Sequence, residues 1–125
     1  MKRILYLEDD PINAYVIQKQ VGDLADVVIF TDPDKALEKL SAPHALFDML
    51  LIDIHLGEGV MDGVTFCQQI RQMPAYQKVH TVAVTAFAMP GDMEHLLSMG
   101  FDAYVSKPIV RAQLLNVLAK VVKVS

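Results

Sequence analysis

The sequence predicts an α/β domain built on a parallel sheet, and three observations lead to that fold class. Apolar runs of four or five residues recur along the chain, as expected of strands buried on both faces. Between them lie stretches with apolar residues three and four positions apart. Two of these stretches open on an aspartate followed by proline, Asp10-Pro11 and Asp32-Pro33, which is typical of a helix start. Strands that alternate with helices form a parallel sheet covered by helices on both faces.

Taken in order, the elements predicted are five strands and five helices. The strands are expected at residues 4–7, 26–30, 49–53, 81–85 and 103–105. The helices are expected from Pro11 to a stop at Gly22, from Pro33 through Leu40, over 64–73, over 91–99 with a stop at Gly100, and over 109–122. The chain shows no repeat and no linker, so we expect one domain, residues 1–125, without an appended output domain.

Composition narrows the class of protein. With 125 residues, 53% apolar and 21% charged, the chain is long enough for one globular core. The net charge of -4 and the lack of a basic run argue against direct binding of nucleic acid. A single cysteine, Cys67, fits a reducing compartment. No apolar run is long enough for a signal peptide or a bilayer span, so we expect a cytoplasmic protein without membrane insertion.

Charged and polar residues stand at the carboxyl ends of four predicted strands: Glu8-Asp9-Asp10, Asp53, Thr85 and Lys107. Ligands of doubly wound sheets bind beyond these ends, so the residues should converge. Clustered carboxylates repel one another unless a cation lies among them, and oxygen ligands of this kind suit Mg²⁺. An aspartate beside a metal, a lysine and a hydroxyl can accept a phosphoryl group covalently, which is the chemistry we favour for Asp53.

Four motifs carry a resemblance to a known family: I-L-Y-L-E-D-D-P, L-L-I-D, V-A-V-T-A and Y-V-S-K-P, each at the end of a predicted strand. In this order they resemble the receiver domain of two-component response regulators, over essentially the whole chain. The resemblance is to single-domain, chemotaxis-type receivers and to those of hybrid kinases. It implies a flavodoxin-like strand order, 2-1-3-4-5. It also implies a phosphoacceptor that takes a phosphoryl group from a sensor histidine kinase or a histidine phosphotransfer protein and then binds a downstream protein.

The resemblance also implies a role for each matching residue. By position, the phosphoacceptor is Asp53, the metal-binding acidic pair is Glu8 and Asp9, the switch pair is Thr85 and Tyr104, and the phosphate-pairing lysine is Lys107. His55 matches the position whose backbone carbonyl binds the metal and whose side chain tunes phosphate lifetime. Asp10 is expected to cap the first helix, and Lys107-Pro108 resembles a peptide bond that is cis in the family.

The loop after Asp53 departs from the family pattern. Gly57 stands where the family places a proline, four residues after the phosphoacceptor. Asp62-Gly63 follows Asp53 at nine and ten residues, where the family has this pair at seven and eight. The loop is therefore two residues longer, which bears on its geometry and on phosphate lifetime.

Two other functions compete with a signalling module. A phosphatase of the haloacid dehalogenase type would use Asp53 as its nucleophile. Such enzymes carry a second aspartate two residues later, where this chain has His55, and acidic metal ligands after the lysine, where it has none. A flavodoxin-like flavin carrier would need a phosphate-binding loop of Ser, Thr and Gly after the first strand, which is missing. We therefore expect a module that catalyses only its own phosphorylation and dephosphorylation.

The remaining histidines and the cysteine carry no predicted chemistry. His44, His80 and His95 lack the spacing of metal ligands, and we expect them on the surface. Cys67 is expected to be a buried apolar residue of its helix.

Overall fold

The fold is taken from a computed structural model that describes residues 2–42, 46–56, 61–86 and 91–120. The elements in chain order are β1 (Arg3–Leu7), α1 (Pro11–Val21), β2 (Asp26–Phe30), α2 (Pro33–Ser41), β3 (Met49–Asp53), α3 (Gly63–Arg71), a 3₁₀ turn (Pro74–Tyr76), β4 (His80–Thr85), α4 (Asp92–Ser98), β5 (Ala103–Ser106) and α5 (Arg111–Leu118). Within these ranges no helix has the length and apolar character needed to cross a membrane.

All five strands lie in one parallel sheet with the predicted order, β2-β1-β3-β4-β5. The three central strands are almost wholly buried, whereas the edge strands β2 and β5 are partly exposed. Burial on both faces explains why the central strands are continuous apolar runs in the sequence.

The two faces of the sheet carry different helices. On one face, buried residues of β1, β3 and β4 pack against α1 and α5. On the other face, the alternate residues of these strands pack against α2, α3 and α4. The chain therefore leaves β1 toward one face and β3 toward the other, and the carboxyl ends of these adjacent strands border a crevice. This is the topological switch point at which doubly wound sheets bind their ligands.

The start of α5 differs most from the sequence prediction, which placed the helix over 109–122. The helix begins at Arg111, because the residue before it, Val110, has extended backbone angles (φ -109°, ψ 148°). It ends at Leu118, where an i→i+3 hydrogen bond from the Lys120 N–H to the Val117 carbonyl closes the last turn. Residues 121–125 lie outside the described ranges.

Smaller differences occur at other element ends. The sequence predicted one helix over 64–73, but α3 ends at Arg71 and a separate 3₁₀ turn follows at Pro74–Tyr76. Proline fixes its own φ and disfavours a helical conformation in the residue before it, which accounts for the interruption at Met73. The predicted caps are confirmed: the Asp10 and Asp32 carboxylates accept hydrogen bonds from the N–H groups of the first turns of α1 and α2.

Candidate functional site

Strand β3 places Asp53 at the carboxyl end of the sheet. Every residue of this strand is buried, and Asp53 itself is only 2% exposed. Its register partner is Val84 of β4, and one carboxylate oxygen, Oδ1, accepts a hydrogen bond of 3.0 Å from the His55 N–H. The carboxylate is therefore held by the backbone that follows it and has little freedom to turn toward solvent.

The pair Asp62-Gly63 fixes the start of α3 directly against this backbone. The Asp62 side chain caps the helix by accepting a hydrogen bond from the Thr65 N–H at 2.8 Å. The Gly63 N–H donates to the Ile54 carbonyl at 3.1 Å. A Cβ atom on Gly63 would lie 2.4 Å from the Asp53 carbonyl oxygen, so any side chain there would displace the strand end. The pair thus determines where the Asp53 backbone lies.

Glu8 and Asp9 extend from the end of β1 toward Asp53, but their exposure differs. Glu8 is completely buried, and its Oε1 accepts a hydrogen bond of 2.7 Å from the amide of Asn13 in α1. Asp9 is exposed. Asp10 caps α1 through the Ile12 N–H at 2.9 Å, as predicted. Asn13 was not predicted from the sequence as part of this site; its position one turn into a helix that begins next to Glu8 was the available signal.

Lys107 joins the two buried carboxylates. Its ammonium Nζ lies 3.0 Å from Asp53 Oδ2 and 3.1 Å from Glu8 Oε1, and its side chain is 20% exposed. The Lys107 N–H donates to the Thr85 carbonyl at 2.8 Å, which ties the end of β5 to the end of β4. The Lys107-Pro108 peptide bond is cis, in agreement with the prediction from the resemblance.

The electrostatics of these residues are dominated by burial and by excess negative charge. Burial, together with the adjacent Asp53 carboxylate, raises the pKa of Glu8 to about 8. Burial would lower the pKa of Lys107, but its hydrogen bond to Asp53 and the negative charges of Asp53 and Glu8 outweigh this and raise it. Burial and the surrounding carboxylates also raise the pKa of the Tyr6 hydroxyl. The positive charge of the Lys107 ammonium thus offsets only part of the negative charge of the carboxylates around it.

The carboxylates are arranged so that they could hold a metal ion. One oxygen each from Glu8, Asp9 and Asp53 lie within 4.8 Å of one another. The donors are all hard oxygens, and the exposed Asp9 leaves room for bound water, as Mg²⁺ requires. Burial first and the Asp53 carboxylate second raise the pKa of Glu8, and a divalent cation beside both carboxylates would favour their charged forms.

Thr85 and Tyr104 lie beside this group on β4 and β5. Thr85 is 4% exposed and lines a cavity of about 200 Å³ next to the end of β3. Other residues that line it are His55, Asp92 and His95. Tyr104 is half-buried and packs against the part of the core that includes Leu96 of α4. We call the group formed by Glu8, Asp9, Asp53, Thr85 and Lys107 the rim.

Among the minor predictions, one is wrong. His80 was expected on the surface, but its side chain is only 20% exposed and lies 3.9 Å from Asp102, because it is the first residue of the central strand β4. His95 is exposed and Cys67 is fully buried, as predicted. His44 and Gly57 lie outside the described residues.

The comparison with known proteins agrees with this geometry. The response regulator receiver domain family matches residues 4–119. The histidine-protein kinase BarA of Escherichia coli is 35% identical over 118 residues, and the sensor protein GacS of Pseudomonas syringae is 31% identical over 121 residues. Each match covers 94% of this chain but only 12% and 13% of the respective relative. The chain thus spans about an eighth of the length of these relatives.

A solved structure adds a metal to the comparison. The receiver domain of sensor histidine kinase PA1611 from Pseudomonas aeruginosa superimposes with a TM-score of 0.80 and is 33% identical, with 96% of each chain covered. That structure has a magnesium ion coordinated in its active site cleft. The order of the strands, the match to the family and the relatives all agree. The chain belongs to the family of response regulator receiver domains of two-component signalling.

Proposed function

We propose that Asp53 accepts a phosphoryl group from the phosphohistidine of a donor protein. A carboxylate oxygen of Asp53 forms the new O–P bond, the N–P bond of the phosphohistidine breaks, and the departing imidazole takes up a proton. The observation that carries the proposal is the buried Asp53 carboxylate with the Lys107 ammonium 3.0 Å away. A partly buried lysine at that distance can pair with oxygens of the transferred group as well as with the carboxylate.

The metal in this proposal is Mg²⁺. Glu8, Asp9 and Asp53 would hold it with their carboxylate oxygens, and His55 would add its backbone carbonyl. A bound Mg²⁺ supplies charge neutralisation for the phosphoryl oxygens. The chain itself provides positioning: the His55 N–H holds the Asp53 carboxylate, Gly63 allows the close approach to the Asp53 backbone, and Asn13 holds Glu8.

The donor in this proposal is a sensor histidine kinase or a histidine phosphotransfer protein. The relatives BarA and GacS are named as histidine kinase and sensor protein, which supports a place in a phosphorelay. Histidine kinases use ATP as their phosphoryl donor, and we therefore expect the chain in the cytoplasm. The module catalyses only its own phosphorylation and dephosphorylation and passes the signal to a downstream protein.

Phosphorylation of Asp53 is tested with acetyl phosphate as donor in the presence of Mg²⁺. The mass of the intact protein is then measured by mass spectrometry. The wild-type chain should gain one phosphoryl group that acid or hydroxylamine removes, and Asp53→Asn should gain none because its amide is a poor nucleophile. Asp23→Asn removes an exposed carboxylate and serves as the matched control, which should be labelled like the wild type. Equal labelling of Asp53→Asn would refute the assignment.

A switch role for Thr85 and Tyr104 has a separate test. Phosphorylation adds charge and acceptor oxygens beside Thr85, and the hydroxyl would turn toward them while half-buried Tyr104 moves inward. Thr85→Ala should therefore still be labelled at Asp53 but should show smaller phosphorylation-dependent shifts at Tyr104 in NMR spectra. Thr81→Ala, in the same strand, is the control. Equal shifts in Thr85→Ala and wild type would exclude the switch.

The phosphatase alternative has no support in the rim. The residue two positions after Asp53 is His55, where such phosphatases carry the aspartate that serves as general acid for the leaving group. Multiple turnovers of p-nitrophenyl phosphate that are lost in Asp53→Asn would favour this alternative.

A further inference from the structure

Two reciprocal hydrogen bonds join the end of α1 to the segment that leads from Lys107 into α5. The Gln20 side-chain amide donates from Nε2 to the Ile109 carbonyl at 3.2 Å. In return, the Arg111 guanidinium donates to the backbone carbonyl of Gln20, one of the last-turn carbonyls that a helix cannot satisfy itself. The two residues are 91 positions apart in sequence, so these bonds close a tertiary contact.

The hydrogen bond from Gln20 to the Ile109 carbonyl fixes the orientation of the Gln20 side-chain amide. A carbonyl oxygen can only accept, so the NH₂ group of Gln20 must face Ile109. The other end of the amide, Oε1, is then buried without a hydrogen-bond partner among the residues that the structure describes. A buried oxygen without a partner destabilises a fold by more than a typical hydrogen bond returns. The polar contact that the Gln20 side chain provides here is its bond to the Ile109 carbonyl.

The segment that this bond holds is attached to the rim. Ile109 is two residues after Lys107, whose ammonium lies between Glu8 and Asp53. On the strand side, Lys107 is anchored by its N–H bond to the Thr85 carbonyl. On the helix side there is no such anchor in the segment itself, because the N-cap residue Val110 has no side chain that can cap α5. The hydrogen bonds of Gln20 and Arg111 supply the missing anchor, because they tie this segment to α1.

We propose that Gln20 is a positioning residue for Lys107, acting through its hydrogen bond to the Ile109 carbonyl. With that bond in place, the backbone on both sides of Lys107 is fixed, and the ammonium stays within 3.1 Å of both carboxylates. Helix α1 then positions both partners of the ion pair between Glu8 and Lys107. Asn13 near the start of the helix holds Glu8, and Gln20 near its end holds the segment that follows Lys107. Gln20 touches no reacting atom.

The inference rests on the proposed function and is tested by the rate of Asp53 labelling with acetyl phosphate and Mg²⁺. Gln20→Met keeps the shape of the side chain and removes its donor. It should slow labelling about tenfold, because small misplacements of a catalytic group cost one to two orders of magnitude in rate. Gln18→Met is the matched control: Gln18 is on the same helix and donates to the Val27 carbonyl at 3.3 Å, away from the rim. It should be labelled at the wild-type rate.

A second comparison separates positioning from a loss of stability. In a Lys107→Met background, the added change Gln20→Met should have no further effect on labelling, because the group that it positions is gone. The same fold-loss in both backgrounds, or equal rates for Gln20→Met and Gln18→Met, would overturn the inference. Should Gln20→Met not fold, Gln20→Glu also lacks the donor and takes its place. Absent labelling of the wild-type chain would instead refute the proposed function itself.

Discussion

The two ends of the sheet both hold partly or fully buried charges, but they balance them differently. At the carboxyl end, Lys107 is the ammonium that contacts the carboxylates of Glu8 and Asp53. At the amino end, Arg71 of α3 pairs with Asp102, and His80 lies 3.9 Å from the same carboxylate. We call Arg71, His80 and Asp102 the Arg71 cluster. Register places the cluster and the rim at opposite ends of β4 and β5.

At the amino end, Arg71 and Asp102 use most of their hydrogen-bonding capacity, whereas His80 Nε2 is buried without a hydrogen-bond partner among the described residues. The Arg71 guanidinium donates to the carbonyls of Tyr76, Val79 and Gly100 at 2.8–3.2 Å and to Asp102 at 3.0 Å. The Asp102 carboxylate also accepts from the Thr81 N–H at 2.8 Å. These contacts tie the 3₁₀ turn and the start of β5 to α3. The charges of Arg71 and Asp102 are thus paired within the fold, whereas the excess negative charge at the rim favours the binding of a cation.

The largest effect that separates the two ends should come from Arg71→Met. This change removes the hydrogen bonds of the guanidinium to the carbonyls of Tyr76 and Gly100 and to the Asp102 carboxylate. At about 1 kcal/mol for each lost bond, the free energy of unfolding should fall by about 3 kcal/mol. Labelling of the folded protein at Asp53 should stay unchanged, because the cluster lies at the far end of the sheet. Urea unfolding followed by circular dichroism gives the first quantity and intact mass the second.

The control for this prediction is Lys78→Met, which removes an exposed cation near the same turn. It should shift the urea midpoint little, since exposed charges contribute little to stability. Equal midpoints for Arg71→Met and Lys78→Met would mean that the cluster does not hold the amino end together.

The rim was predicted from sequence because its members share a simple rule of position. In a parallel sheet, residues at the carboxyl ends of neighbouring strands meet, so Glu8, Asp9, Asp53, Thr85 and Lys107 were brought together once the strands had been placed. The strands could be placed because burial on both faces gives them continuous apolar runs, as in the wholly buried β3.

Residues that act through long side chains were not predictable in this way. Arg71 reaches Gly100 across 29 positions, and Gln20 reaches Ile109 across 89. No local pattern distinguishes these side chains from exposed polar residues on the same helices. The start of α5 was missed for a similar reason: its apolar periodicity extends back to Ile109, while the contact with α1 and the extended Val110 delay the helix.

A smaller effect should come from Mg²⁺ and should involve the rim alone. An ion that binds only the folded state adds about 1.4 kcal/mol at a concentration tenfold above its dissociation constant. Mg²⁺ should therefore raise the melting temperature of the wild type and of Arg71→Met alike. Asp9→Asn removes an exposed ligand and should show a smaller rise at the same concentration. Asp34→Asn, at an exposed carboxylate on α2, is the control. An equal rise in Asp9→Asn would exclude Asp9 as a ligand.

The two ends should also respond to pH in opposite directions. The folded-state pKa of Glu8 is raised from 4.5 to about 8, so between these values the folded chain binds more protons than the unfolded chain. Its contribution to stability is therefore present at low pH and lost as the pH rises toward 8. Burial lowers the pKa of His80 below its ordinary 6.5; Asp102 opposes this shift, while Lys120 and Arg71 add to it. The folded chain then binds fewer protons, and the His80 contribution is lost as the pH falls below 6.5.

The smallest expected effect is the change in the pH dependence of stability when Glu8 or His80 is replaced. In EDTA, so that no metal fills the rim, urea midpoints of Glu8→Gln should decline less than those of the wild type as the pH rises from 6.5 to 8. The midpoints of His80→Gln should decline less than those of the wild type as the pH falls from 6.5. Each variant is the control for the other, because it removes one of the two contributions to the pH dependence of stability and keeps the second. Parallel curves for all three chains would contradict the assignment of opposite proton linkage to the two ends.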